Sequence, residues 1–325
     1  MTVPTRLESI ERALRNAPAH ELPGVLEAVL GHHFGVAGLE IYLVDLRLAV
    51  LEPVLEPEGP GIPLVATVEG RVFCDQVHVQ QPLDQEVALH LPMTVRGDRL
   101  GVLWLRLPDA PDDAMREELA EAAELAAHAI ILAEVATDRY RRARRPQRLT
   151  LAAEMQWQLL PVRSVECAAY RLAGQLEPAY AVRGDNFDWA QDVDSLTVAV
   201  TNGMGESITA AMLTTLAITA LRNARRSGAN LATQAVLAND APNSTAATPP
   251  ATPPTASTVL QYCKAYLLML VTVGSHIAGQ GLRATSFAVR KHRDLEAKAA
   301  ALIRSSSHLS HGIVAFQGTL HTSRP

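Results

Sequence analysis

Four residues that carry oxygen-bearing groups lie in two short polar segments near the middle of the chain. Asp185 and Asp188 belong to the segment Arg-Gly-Asp-Asn-Phe-Asp-Trp, and the dipeptide Asn202-Gly203 follows the run Leu-Thr-Val-Ala-Val-Thr. Hard divalent cations prefer carboxylate and carbonyl oxygens, and such groups can converge where adjacent strands end. The same residues also suit ordinary turns, because Asn-Gly is a favoured turn dipeptide. A metal site and a set of turn residues are therefore the two alternatives.

Four sequence features surround these residues in a fixed order. They are the helical segment Ala-Ala-Glu-Met-Gln-Trp-Gln-Leu-Leu-Pro, the strand and loop at 171–189, the strand and turn at 195–207, and the apolar stretch 208–226. In this order and at this spacing they resemble the first half of the SpoIIE/RsbU-type PPM protein phosphatases. These are metal-dependent serine/threonine phosphatases of bacterial signalling. The resemblance covers about residues 148–240 and implies the front half of an α-β-β-α sandwich.

The resemblance implies a pair of Mn²⁺ or Mg²⁺ ions that share a hydroxide, which attacks the phosphorus in line. Asp185 occupies the first ligand position of the family. The backbone carbonyl of Gly203 occupies the position of a carbonyl ligand, and Asn202 stands where the family has its central aspartate. Asp188 is assigned to the structure of the loop. The sequence identifies no catalytic residue beyond this metal site and no residue that binds an organic cofactor.

Departures from the family pattern predict impaired catalysis. Asn202 removes one negative charge from the metal site, and the further aspartates that the family places in TDG and DD motifs have no counterpart after residue 240. An out-of-frame end or a gene fusion produces such an abrupt loss of pattern. We therefore expect the later strands of a phosphatase sheet to be missing, which would leave an exposed strand edge.

The N-terminal part has a different pattern, typical of an α+β domain. Residues 6–34 predict two amphipathic helices, and short apolar segments at 39–44, 48–51, 63–68 and 71–79 predict strands. A hairpin at 87–95 and 99–107 turns at Gly97, and a long helix is expected from Asp112. This order resembles a GAF-type sensor domain, which implies binding of a small ligand, here unknown, or a role in dimerisation.

The sequence divides into five regions. A GAF-like sensor domain at 5–135 precedes a helical linker at 136–161, a partial PPM-type domain at 162–240, a Pro/Thr/Ala linker at 241–257 and an unassigned basic tail at 258–325. The helix that leaves the first domain is expected to run into the arginines of residues 139–148. These arginines suit either a nucleic-acid patch or the solvated end of a helix, and the acidic surroundings favour the second. A homodimer through the linker helix is plausible.

Composition excludes several classes of protein. The chain has 48% hydrophobic and 19% charged residues with a net charge of −5, and its start has no apolar segment of a secretory signal. The most apolar run, 265–274, is shorter than the roughly 20 residues of a membrane span. Three isolated cysteines fit a reducing compartment. We therefore expect a cytoplasmic protein with no membrane or nucleic-acid partner.

Two functions follow as hypotheses. The first is a GAF-regulated phosphatase, catalytically impaired, whose substrate would be a phosphoprotein such as an anti-sigma-factor antagonist, by resemblance. The second is a non-catalytic sensor or partner-binding protein that keeps the fold without the metals.

Overall fold

The computed structural model of the chain describes residues 4–167, 170–174, 176, 184–192, 195–202, 207–245 and 266–274. These residues fall into two compact units. The first comprises residues up to 148 together with 163–173, and the second comprises 149–162 together with the described residues from 174 onward. None of the described helices combines the length and the apolarity that crossing a bilayer requires.

Five helices belong to the first unit: α1 (Arg6–Asn16), α2 (Leu22–Phe34), α3 (Val68–Asp75), α4 (Asp113–Ala133) and α5 (Arg139–Ala143). Capping hydrogen bonds between residues three positions apart determine where α1 and α4 begin. Thr5 and Glu8 form a reciprocal capping box at α1, and the Asp112 carboxylate accepts a hydrogen bond from the Met115 amide at 2.8 Å. The two N-terminal helices and the start of the long helix are as predicted.

The sheet of the first unit is antiparallel and has six strands: β1 (Gly38–Val44), β2 (Val50–Pro53), β3 (Ile62–Pro63), β4 (Val79–Leu83), β5 (Glu86–Val95) and β6 (Asp98–Leu107), in the order β3-β2-β1-β6-β5-β4. The predicted hairpin is confirmed as β5–β6. Its turn places Arg96 at φ 52° and Gly97 at φ 88°, a conformation that glycine adopts freely. The expected α+β class is thereby confirmed for this unit. Two further strands, β7 (Ser164–Cys167) and β8 (Tyr170–Ala173), form a separate ribbon.

The two faces of the six-stranded sheet are covered differently. One face, with Ile41, Leu91 and Leu103, belongs to a large core that includes buried residues of α1, α2 and α4. The other face carries a smaller cluster in which Val72 and Phe73 of α3 pack with residues of β1, β2 and β6. Among the described helices, α3 is the one that packs on this second face.

The helix α3 replaces a strand that the sequence predicted across residues 71–79. Thr67 is the N-cap of α3, because its hydroxyl accepts a hydrogen bond from the Gly70 amide at 3.0 Å. The extended segment before it therefore ends here. Gly70 also lies so close to Leu64 that a Cβ atom would come within 2.0 Å of the Leu64 carbonyl oxygen. Only glycine allows this close approach, which seats the helix on the loop before it.

The prediction of one continuous helix leaving the first domain is wrong. Helix α4 ends at Ala133, and the chain turns before α5. Tyr140, in α5, is fully buried, and its hydroxyl donates a hydrogen bond to the Ala19 carbonyl at 2.6 Å. The buried ring of Tyr140 holds the chain after α4 against the first unit. A straight continuation of α4 would leave this ring exposed.

The second unit contains α6 (Leu151–Leu159), β9 (Asp185–Gln191), β10 (Ser195–Asn202), α7 (Ser207–Arg226), α8 (Leu231–Thr245) and β11 (Tyr266–Gly274). Its sheet has the order β11-β10-β9 and is antiparallel. Helix α8 continues through Pro242 into the segment 241–257, which the sequence assigned to a linker. The strand β11 lies in the tail that the sequence left unassigned. It pairs with β10 and so covers one edge of that strand, although the sequence led us to expect an exposed strand edge.

The buried face of α7 differs in part from the predicted one. The sequence placed Ile208, Ala211, Met212, Thr215, Ile218 and Leu221 on one buried face. Ile218 and Leu221 are indeed fully buried, but Ile208 and Met212 are 37% and 53% exposed. Small residues take their place, since Ala210, Thr214, Ala217 and Ala224 are buried. Alanine-lined contacts allow close packing, and a pattern search guided by large apolar residues overlooks them.

Candidate functional site

The face of the sheet beneath α3 carries a row of chemically unusual residues. Trp104 of β6 lies between two cross-strand neighbours, with Glu40 of β1 on one side and His90 of β5 on the other. His90 in turn lies opposite Val79 of β4. Residues that face each other across paired strands project from the same side of a sheet. An acid, an indole and an imidazole therefore lie side by side on this face.

His90 is the most unusual residue of this row. Its side chain is 2% exposed, and neither ring nitrogen has a hydrogen-bond partner among the described residues. The nearest charge is Glu69 of α3, whose Oε1 lies 3.5 Å from His90 Nδ1. Burial lowers the pKa of His90, and the Glu69 charge opposes that shift in part. A buried polar group without a partner costs free energy, so the ring nitrogens of His90 are expected to bind a water molecule or a ligand.

Glu40 has a structural role on the same face. Its carboxylate accepts hydrogen bonds from the amides of Ile41 at 2.8 Å, Val54 at 3.1 Å, Leu55 at 2.9 Å and Glu56 at 3.0 Å. These donors satisfy the buried oxygens and fix the segment that leaves β2. Glu40 therefore contributes negative charge to this face while its own hydrogen-bonding capacity is already used.

Tyr42 reports the electrostatic character of the site. Burial, and to a smaller extent the charges of Glu40, Glu69 and Glu56, together raise the pKa of Tyr42 to about 12. Among the described residues, Glu69 forms no ion pair with lysine or arginine. The α3-covered face, defined by Glu69, His90, Tyr42 and Trp104, is therefore electronegative within the part of the chain that the structure describes.

Sequence reasoning missed this site entirely. The available signal was His90, which interrupts the apolar run Val-Ala-Leu-His-Leu-Pro. An imidazole is unusual in a strand whose two faces are both buried. Glu69 gave no signal of its own, because the segment around it was assigned to strands.

The predicted metal ligands lie in the second unit. In the register of β9 and β10, Asp185 is directly opposite Asn202, so the fold brings their backbones together. Gly203 lies outside the described residues. The roles of all three as metal ligands stay a prediction.

Asp188 is fully engaged by arginines of α7. Its side chain is 2% exposed, and its two oxygens accept hydrogen bonds from Arg222 Nη2 at 2.7 Å and Arg225 Nη1 at 2.8 Å. Arg222 also donates to the Leu159 carbonyl at the end of α6. This carboxylate connects three elements of the unit, which agrees with its assignment to structure.

Among the described residues, the oxygen ligands near β9 and β10 are too few for a pair of divalent cations. Two such ions need several carboxylates to offset their charge. The described part of the chain offers Asp185 and the neutral Asn202 at this position, while two guanidinium groups neutralise Asp188. Within the described residues, no three histidine, cysteine or acidic side chains are grouped closely enough to hold a metal.

The basic segment at 139–148 is only partly solvated. Arg139 donates to the Val54 carbonyl at 3.3 Å, and Arg144 donates to the Val44 carbonyl at 3.1 Å and pairs with Glu134 at 3.5 Å. The interpretation as a solvated helix end is therefore wrong for these two arginines. They attach the segment after α4 to the last residue of β1 and to the residue that follows β2.

No protein-family model matches this sequence, and no curated protein matches it. Solved GAF domains are similar to its N-terminal part. The GAF domain of an Acinetobacter phosphoenolpyruvate-protein phosphotransferase is 17% identical, covers 41% of this chain and 94% of its own, and has a TM-score of 0.35. The corresponding domain from Coxiella burnetii has 13% identity, coverages of 40% and 94%, and a TM-score of 0.37. The second GAF domain of DevS from Mycobacterium smegmatis has 22% identity, coverages of 37% and 97%, and a TM-score of 0.32.

Proposed function

We propose that this protein is a signalling sensor whose first unit binds a small ligand on the α3-covered face and whose second unit binds a partner protein without metal-dependent catalysis. The observation that carries the proposal is His90. The imidazole is fully buried, neither ring nitrogen has a hydrogen-bond partner among the described residues, and the Glu69 carboxylate lies 3.5 Å from Nδ1, so a ligand could satisfy these polar groups.

The helix α3 is suited to gate such a site. It has only eight residues, it is the one described helix that packs on this face, and it carries Glu69. Short elements with few buried contacts open at low free-energy cost. A ligand that displaces or reorders α3 would change the surface of the first unit, which is the physical requirement of a sensor.

The test is ligand-dependent stabilisation of the full chain. Fractionated metabolite extracts are added to the protein, and thermal unfolding is measured for the native chain, His90→Gln and His128→Gln. We expect a fraction that raises the melting temperature of the native chain and of His128→Gln, since His128 is exposed on α4. The same fraction should have a smaller effect on His90→Gln. Equal stabilisation of all three proteins would place ligand binding elsewhere and contradict the proposal.

A second candidate function is that of a metal-dependent serine/threonine phosphatase acting on a phosphoprotein such as an anti-sigma-factor antagonist. The cross-strand pair Asp185–Asn202 favours it. We expect little or no hydrolysis of p-nitrophenyl phosphate or phosphopeptides with Mn²⁺ or Mg²⁺. We also expect no rescue by Asn202→Asp alone, because one restored charge does not complete a site for two ions. Robust metal-dependent turnover that Asp185→Ala abolishes would make the phosphatase the correct function.

A further inference from the structure

We propose that the α3-covered face recognises a small organic cation, specifically a primary amine attached to an apolar or aromatic body. The inference rests on the proposed sensor function and adds the chemical class of the ligand. It follows from which polar groups on this face are free, which are already used, and which charges surround them.

The free polar groups are suited to accept hydrogen bonds. An ammonium group presents three N–H donors and no acceptor. Glu69 offers a carboxylate that no lysine or arginine of the described residues neutralises. Neutral His90 offers one acceptor nitrogen, while its other ring nitrogen carries a proton and donates. Glu40 is not a competing ligand group, because four backbone amides already occupy its oxygens.

Two aromatic residues supply a surface for the same cation. Tyr42 lies opposite Val102, two residues from Trp104 on β6, so the two rings are diagonal neighbours on one face, about 7–8 Å apart at their backbones. Both side chains are half-buried. The faces of tyrosine and tryptophan rings attract cations, and the attraction grows when water is excluded.

The electrostatic environment disfavours anionic ligands. Glu40, Glu56 and Glu69 all act on the Tyr42 hydroxyl in the direction expected for negative charge. A carboxylate or phosphate would have to bind close to these three acids, and Glu69 has no neutralising arginine or lysine in the described part of the chain. An amine would instead supply the missing positive charge next to Glu69 and a donor for His90.

The experiment compares three probes of the same shape and different charge. Phenethylamine, 2-phenylethanol and 3-phenylpropionate are titrated against the full chain by isothermal calorimetry, with ligand-observed NMR to establish saturation. We expect phenethylamine to bind at least about tenfold more tightly than either of the others, the difference that one hydrogen bond to a charged group provides. Glu69→Gln should remove this preference. Glu117→Gln, which changes an exposed acid of α4, should preserve it.

Further variants keep the test decisive if Glu69→Gln fails to fold. Tyr42→Phe retains the ring and should retain most of the amine affinity, whereas Trp104→Leu removes a ring and should weaken amine binding several-fold. Tighter binding of phenylpropionate at a site sensitive to His90→Gln would overturn the cation inference and leave the sensor function standing. If no probe binds and no metabolite fraction stabilises the chain, both proposals are wrong.

Discussion

Arg222 donates two hydrogen bonds to a single carboxylate oxygen of Asp188, from Nε at 3.1 Å and from Nη2 at 2.7 Å. The two residues are 34 positions apart, and the carboxylate lies on β9 while the guanidinium lies on α7. Arg225 approaches the other oxygen from the next turn of the helix. The pair therefore fixes α7 on the sheet of the second unit.

Removing Asp188 should strongly destabilise the second unit. Asp188→Ala leaves two half-buried guanidinium groups without their shared acid, and loss of one partner of a buried pair costs about 3–5 kcal/mol. Urea unfolding followed by circular dichroism measures the effect. Asp240→Ala, which removes an exposed acid of α8, is the matched control and should change little. If both variants unfold at the same urea concentration, the Asp188 contacts do not stabilise the folded protein.

Stability should depend on His90 under mildly acidic conditions. Burial lowers the pKa of His90 in the folded protein, so the unfolded chain takes up this proton at a higher pH, near 6.5, than the folded chain does. The folded state is therefore progressively disfavoured as the pH falls below 6.5. Between about pH 7.5 and 5.5, we expect the urea concentration at the unfolding midpoint to fall less for His90→Leu than for the native chain. His128→Gln should follow the native chain, and identical curves for all three would show that His90 is not buried in its neutral form.

Two substitutions on α7 should separate the predicted helix face from the observed one. Ile218→Asp places a charge at a fully buried position and should cost several kcal/mol. Met212→Asp changes a residue that is 53% exposed and should stay within about 0.5 kcal/mol of the native chain. The free energy of unfolding of each variant decides between the two faces. Comparable losses at both positions would support the face derived from sequence spacing alone.

Trypsin should cut the segment after α4 at one preferred arginine. Arg139 and Arg144 donate to backbone carbonyls of the first unit, which protects the bonds after them. Arg145 precedes Pro146, a bond that trypsin does not cleave, whereas Arg148 is exposed. Mass spectrometry of a limited digest should therefore detect cleavage after Arg148 before cleavage at 139–144. Arg144→Ala removes one of these sites and should accelerate cleavage at 139–142. Early cleavage after Arg139 in the native chain would contradict the anchored arrangement.

The sequence by itself determined the elements that short-range physical chemistry controls. Thr5 with Glu8 and Asp112 specified where two helices begin, and Gly97 specified the turn of the β5–β6 hairpin. Apolar residues that recur at helical spacing over 208–226 specified α7. These features depend on residues within about one helical turn or one hairpin of each other, so a linear pattern is sufficient to reveal them.

Only the tertiary structure decided which residues meet to form a site. The carboxylate of Glu40 binds amides 14 to 16 residues away, and Glu69 of α3 reaches His90 of β5. The resemblance assigned Asp188 to the structure of a loop, and the fold shows which groups hold it there, namely Arg222 and Arg225 of α7. Contacts between distant segments depend on how helices and strands pack, and the spacing of residues along one segment carries no information about what the opposite segment brings to it.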